Sequence, residues 1–279
     1  MPGKGPKVLD GKVAIVTGTS PNVTGGIAYG LAEEGATVFC VDRRVDYARG
    51  CAAGIRSGGG VADAAACDVT DETAVQQAVE LACQRFGRID ILVNGAAVSN
   101  PYGLLDMDAG EFRSQLDCIL TGTFLFTKHA ATRMIAQGSG GAIVNLGSTE
   151  GHQGNPGNIA YGTGKGGLVN FTRAAAMELA CHQIRVNLLT PTGTDPSEGL
   201  LRAEAWRVPW ERSRRAQPRP EFTTGAVGVP LRRQPTPRDY ARALVFLVSD
   251  DAAMITGSDL RVDGGVLSRY WRWNPGVGS

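Results

Sequence analysis

Residues 12–42, KVAIVTGTSPNVTGGIAYGLAEEGATVFCVD, decide the fold. A β-branched run from Lys12 ends in Gly18, Gly25, Gly26 and Ile27 open an apolar stretch, and a second β-branched run from Thr37 ends in Asp42. Strand, helix, strand in that order gives a parallel pair, because the right-handed crossover returns the chain to the same edge. The alternation continues outward, with runs at 61–68, 89–95, 141–148, 184–191 and 259–265 reading as five more strands. Between them Val75, Ala78, Val79, Ala82 and Phe86 recur at steps of three and four behind Thr70 and Asp71 as candidate caps, which is helical spacing. The expected fold class is α/β, a doubly wound sheet of about seven parallel strands with helices on both faces.

The 279 residues suit one large domain, 1–279, carrying a lid at about 195–237 and a tail at about 266–279. With 43% apolar and 20% charged residues, neither a disordered chain nor a coiled coil fits. The formal net charge of +1 leaves no general field to hold a polyanion, so nucleic acid is not expected as a partner. Met1–Asp10 has no apolar core, and no later segment approaches a membrane span, so neither secretion nor a membrane is expected. The six cysteines lack CxxC spacing and read as reduced thiols, which implies a cytoplasmic address. His129, His152 and His182 stand at no metal-binding spacing, and no metal is expected.

The proposed lid is rich in proline and arginine and shows no strand pattern. It reads either as a solvated, self-paired surface or as a flap closing over a ligand, with Trp206, Trp210 and Phe222 as wall or as simple packing. The tail segment Arg269–Trp273, RYWRW, is expected to dock on a neighbouring subunit.

Four strand ends suit one extended ligand. The glycine turn at Gly18 places backbone N–H groups and a helix dipole where a pyrophosphate can sit. Asp42, 24 residues on, can accept both hydroxyls of an adenosine ribose and repel a 2′-phosphate, which favours NAD; Arg43 beside it can bind phosphate instead. Asp68 with Val69 suits an adenine ring, with helix capping as the other account of the acid. Asn94, Gly95, Ala96 and Ala97 allow close approach of a flat cofactor, although Asn94 can equally tie strand ends through its amide.

Ser148 ends the fifth strand, with Tyr161 and Lys165 thirteen and seventeen residues later and one helical turn apart. A phenol with pKa near ~10 is a poor base, but an adjacent ammonium stabilises phenolate, and Ser148 can hold a substrate oxygen. Glu150 and His152 follow closely enough for one of them to reach the same pocket.

Taken together, VTG, Asp42, the DV pair at 68 and 69, LVNGAA, the Ser148, Tyr161 and Lys165 set, RVNLLTP and ITGSDLRVDGG resemble the short-chain dehydrogenase/reductase family from Gly11 to Gly265. The resemblance implies a Rossmann-type sheet, a nicotinamide cofactor along its carboxyl edge, and a homo-oligomer, tetramer or dimer. It implies catalytic Ser148, Tyr161 and Lys165, in which the serine polarises the substrate, the tyrosine exchanges the proton, and the lysine binds the nicotinamide ribose and lowers the tyrosine pKa. It further implies cofactor contacts from Gly18, Ser20, Asn22, Val23, Asp42, Asp68, Val69, Asn94, Tyr161, Lys165, Pro191 and Thr194. The expected function is an NAD-dependent oxidoreductase interconverting a secondary alcohol and a ketone on a small or medium organic substrate.

Four departures from the family pattern stand out. Asn22 and Thr24 replace two glycines of the TGxxxGxG turn, where asparagine tolerates positive φ and Gly25 and Gly26 are placed to relieve crowding by the threonine. NNAG becomes Asn94, Gly95, Ala96, Ala97. Thr192 separates Pro191 from Gly193. Ile119 takes the place of an asparagine that in the family bends a helix around a water feeding the lysine, so a relay through this position is lost or rerouted. These changes keep open a non-redox enzyme (lyase, isomerase or dehalogenase-like) or a non-catalytic dinucleotide-binding subunit on the same scaffold.

Overall fold

A computed structural model describes residues 7–210 and 228–270. The seven runs become β1 (Val13–Thr17), β2 (Thr37–Asp42), β3 (Ala62–Ala66), β4 (Ile91–Asn94), β5 (Gly141–Leu146), β6 (Ile184–Pro191) and β7 (Asp259–Val262). They form one parallel sheet in the order β3-β2-β1-β4-β5-β6-β7. Successive side chains of a strand point to opposite faces, so each central strand serves two cores. Ala14 and Val16 face α1 (Val23–Glu33), α2 (Val45–Ser57) and α8 (Pro237–Val248), while Ile15 faces α3 (Glu72–Phe86), α5 (Gly122–Gln137) and α6 (Ile159–Leu179). Helix α3 buries Val75, Ala78, Val79 and Ala82 as its spacing predicts, and its cap is Asp71, which accepts from the Ala74 N–H; Thr70 does not cap it.

The strand order reverses between β1 and β4, which opens a crevice at their carboxyl ends, the usual ligand position in such sheets. Gly18 stands there at φ +69°, and a Cβ on it would lie 2.6 Å from the Ala96 Cα. Only glycine satisfies both the positive φ and the close approach.

Two further helices flank the crevice, α4 (Ala109–Leu116) and α7 (Ser197–Trp206), the latter within the stretch expected to form a lid. Trp206 lies against Gly25 and Gly50, and its Nε1 donates to Tyr29 Oη at 2.9 Å. Arg202 donates to the carbonyls of Pro21 (2.5 Å) and Asn22 (3.2 Å), and Tyr47 Oη donates to Pro209 O at 2.8 Å. The beginning of the stretch expected to form a lid is thus fastened to the glycine turn and to α2. Phe222 and residues 271–279 of the tail lie outside the described residues. All six cysteines are free thiols. Among the described residues no helix is long and apolar enough to cross a membrane, and no group of three or more His, Cys, Asp or Glu could hold a metal ion.

Candidate active site

The crevice opens into a cleft of about 270 Å³ lined by Gly18, Ser20, Asp42, Asp68 and Val69 on one side and Gly95–Val98 on the other. Asp42 is 8% exposed, and burial pushes its carboxyl up to about 6. Its Oδ1 accepts from the Arg44 N–H at 2.9 Å, and Oδ2 faces no donor among the described residues. Arg44 is engaged elsewhere, paired with Asp46 at 2.6 Å and stacked over the Tyr47 ring at 4.1 Å. Asp68 closes a tight turn by accepting from the Thr70 N–H (2.9 Å) and hydroxyl (2.7 Å), bonds that hold its pKa below the usual carboxylate range.

Asn22, Val23, Asn94, Pro191 and Thr194, also expected to contact the cofactor, are not among the residues lining the cleft. Asn94 is buried behind the cleft, where Nδ2 donates to Asn145 Oδ1 (2.9 Å) and Thr127 Oγ1 (3.1 Å), so it ties β4 to β5 and α5. Val23 packs into the core with α1. Asn22 has φ −85°, so its tolerance of positive φ is not used, and its buried Oδ1, beside Gly199, has no hydrogen-bond partner among the described residues. Pro191 ends β6, and Thr194 Oγ1 lies 3.2 Å from the buried Tyr240 Oη, turned toward α8.

At the carboxyl end of β5, Ser148, Tyr161 and Lys165 come together. Ser148 lies close enough to the Tyr161 phenol to favour its ionised form, and the Lys165 Nζ stands 5.6 Å from the Tyr161 ring centre and donates to Leu146 O at 2.5 Å. Lys165 is 3% exposed, and desolvation brings its ammonium down to about 8. The expected lowering of the tyrosine pKa by the lysine is not found in this state. Burial drives the phenol up to about 12, opposed by the neighbouring Ser148 hydroxyl and reinforced by the charge of Glu150. One of the three ammonium protons of Lys165 is engaged by the Leu146 carbonyl.

Of the two residues after Ser148, His152 turns away: its Nε2 lies 3.2 Å from Asp259 Oδ2 on β7. Glu150 stays, its Oε2 accepting from Asn158 Nδ2 at 2.7 Å, while Ser99 Oγ donates to Asn158 Oδ1 at 3.2 Å. Sequence reasoning missed Ser99 and Asn158; the place of Asn158, three residues before Tyr161 at the start of α6, is the one signal that could have found it.

The family model described as enoyl-(acyl carrier protein) reductase matches residues 21–267. D-threitol dehydrogenase of Mycolicibacterium smegmatis is 36% identical over 257 residues, covering 92% of this chain and 93% of its own. A 3-oxoacyl-[acyl-carrier-protein] reductase of Synechocystis is 34% identical, covering 93% and 98%. The chain belongs to the short-chain dehydrogenase/reductase family. The crystal structure of a short-chain type dehydrogenase/reductase from Mycobacterium marinum superposes with a TM-score of 0.82 at 31% identity, covering 95% of this chain and 98% of that one. Members of the short-chain dehydrogenase/reductase family are oxidoreductases that bind a nicotinamide dinucleotide. The residues present fit that group, given the Cβ-free approach at Gly18 and the unengaged Oδ2 of Asp42.

Two departures from the family pattern are compensated in pairs. The Thr24 hydroxyl donates to Gly18 O, and its methyl occupies the space of a side chain at position 95, where a Cβ would lie 2.2 Å from Thr24 Cγ2. Gly95, not Gly25 or Gly26, therefore accommodates Thr24; the latter two make room for Ser20 O, Trp206 and Pro237. Gly95→Ala is expected to cost about 2 kcal/mol in urea unfolding through overpacking, and adding Thr24→Ala should recover part of it. Ile119 is fully buried against Gly164, Leu168 and Leu188. The helix still opens into a π turn over Asp117–Thr121, so the local widening does not need an asparagine side chain. What is missing is the polar group; packing fills its place.

Proposed function

We propose that the protein is an NAD-dependent dehydrogenase interconverting a secondary alcohol and a ketone. The observation that carries this is the gathering of Tyr161, with Lys165 Nζ 5.6 Å from its ring centre, and Ser148 at the carboxyl edge of a nucleotide-binding sheet. When bound, the dinucleotide exchanges a hydride with the substrate carbon. Ser148 holds the substrate oxygen, and Tyr161 Oη takes the alcohol proton in oxidation and returns it in reduction. Lys165 supplies positive charge below its pKa of about 8 and would hold the nicotinamide ribose. The changes at Asn22, Thr24 and Ile119, which kept a non-redox reading open, are absorbed by packing and place no side chain in the cleft. The relative named D-threitol dehydrogenase supports a small alcohol as substrate.

Asp42 supports NAD over NADP, since a buried carboxylate with one open oxygen accepts from ribose hydroxyls and repels a 2′-phosphate. Initial rates with each dinucleotide should favour NAD by about 10²-fold in kcat/KM at pH 8. Asp42→Ala should shrink that ratio to about tenfold or less. Because the Asp42 carboxyl sits at about 6, its charge is lost as pH falls, so the wild-type ratio should also narrow between pH 7.5 and 5.5. Equal rates with both dinucleotides at pH 8 would remove the assignment.

A further inference from the structure

Glu150 is a carboxylate placed where it hinders the chemistry. Its own N–H donates to Ser148 Oγ at 3.1 Å, and its negative charge acts on the Tyr161 phenol, disfavouring phenolate. Among the described residues it has no cation partner, and the nearby His152 is spent on Asp259. Yet it is held firmly: Asn158 donates to Oε2 at 2.7 Å, and Ser99, from the loop after β4, fixes the Asn158 amide at 3.2 Å. That chain joins the loop after β4 to the turn after β5, and among the described residues no donor meets Oε1. A fixed carboxylate with one open oxygen beside a proton-exchanging group calls for a hydrogen-bond donor on the substrate and repels an anionic one.

Resting on the dehydrogenase reading above, we propose that Glu150, held by Asn158 and Ser99, selects a neutral substrate with a hydroxyl on the carbon next to the reacting one. The reaction is then a vicinal diol plus oxidised nicotinamide dinucleotide giving an α-hydroxyketone, reduced dinucleotide and a proton. The reacting carbon loses its hydrogen as hydride to the nicotinamide and its hydroxyl proton to Tyr161, while the neighbouring hydroxyl donates to Glu150 and is unchanged. An ammonium on the same carbon is the competing donor, since the neutral groups around Glu150 leave its charge uncompensated, and it is one arm of the test.

The test compares matched pairs on the full-length protein with NAD, namely butane-2,3-diol against butan-2-ol and cyclohexane-1,2-diol against cyclohexanol, with 3-aminobutan-2-ol and 3-hydroxybutyrate alongside. The diols should exceed their mono-ols by about 10²-fold in kcat/KM, mostly through KM, and the anion should be the poorest. Glu150→Ala and, independently, Asn158→Ala should collapse the diol to mono-ol ratio toward one, with melting temperature and NAD affinity confirming the fold. Turnover with no diol preference, a preference unchanged in Glu150→Ala, or an amino alcohol better than the diol would overturn this inference alone. No turnover of any panel member would overturn the dehydrogenase reading, and this inference with it.

Discussion

Tyr161→Phe should lower kcat by about 10³-fold in both directions while changing the NAD dissociation constant by no more than about threefold. The substitution removes one oxygen and keeps the ring, which packs with the Ile119, Leu168 and Leu188 cluster, so the fold and the cleft should persist. What goes is the phenol oxygen beside Ser148, and with it the proposed path for the substrate's proton. The loss is expected to be large because no other group offers itself: His152 faces Asp259, and Glu150 is fixed to Asn158. Ser148→Ala should cost less than Tyr161→Phe, since it removes positioning and leaves the proton acceptor. Steady-state rates with isothermal titration of NAD check both. Turnover within about tenfold of wild type in Tyr161→Phe would assign the proton transfer to another group.

Lys165→Met should abolish measurable turnover and at the same time stabilise the protein. The Lys165 ammonium is 3% exposed and lies at about 8 against an ordinary 10.5, which corresponds to about 3 kcal/mol of disfavoured charge at neutral pH. The hydrogen bond to Leu146 O offsets about 1 kcal/mol, leaving a net gain of about 2 kcal/mol for the apolar variant. The sign follows from the direction of the shift. A base whose folded pKa is depressed penalises the fold below that pKa, and the penalty fades as pH rises from about 8 to 10.5. The stability advantage of Lys165→Met should therefore be full at pH 7 and absent near pH 10.5, as read by urea unfolding at the two pH values. A variant less stable than wild type at pH 7 would mean that the ammonium is better solvated than its burial implies.

The sheet was legible because β-branched runs separated by helical periodicity leave few topologies, and all seven strands lie where the runs stand. The pairing of Tyr161 with Lys165 was legible because i and i+4 on one helix must share a face, and these two do. Side-chain direction at strand ends was not. Asn94 and Asp42 both close strands, yet one turns inward to bond Asn145 and the other lines the cleft, a difference set by neighbouring strands remote in sequence. The compensating pairs were equally hidden, since Thr24 with Gly95 and Ile119 with Gly164 are joined only by the fold. The Glu150–Asn158–Ser99 chain spans two loops, and no local spacing brings its three members together.

The proposed reaction requires that the partly buried Tyr161 phenol, pushed up to about 12 in the free protein, become the proton exchanger when the cleft is filled. The direct measurement is a ¹³C NMR titration of tyrosines labelled at Cζ, with and without saturating NAD, using Tyr161→Phe to assign the resonance. The account predicts no ionisation of Tyr161 below about pH 11 in the free protein and a midpoint near 7 to 8 once NAD is bound, where a base must lie to work at neutral pH. A resonance that stays un-ionised to pH 10 with NAD bound would contradict it.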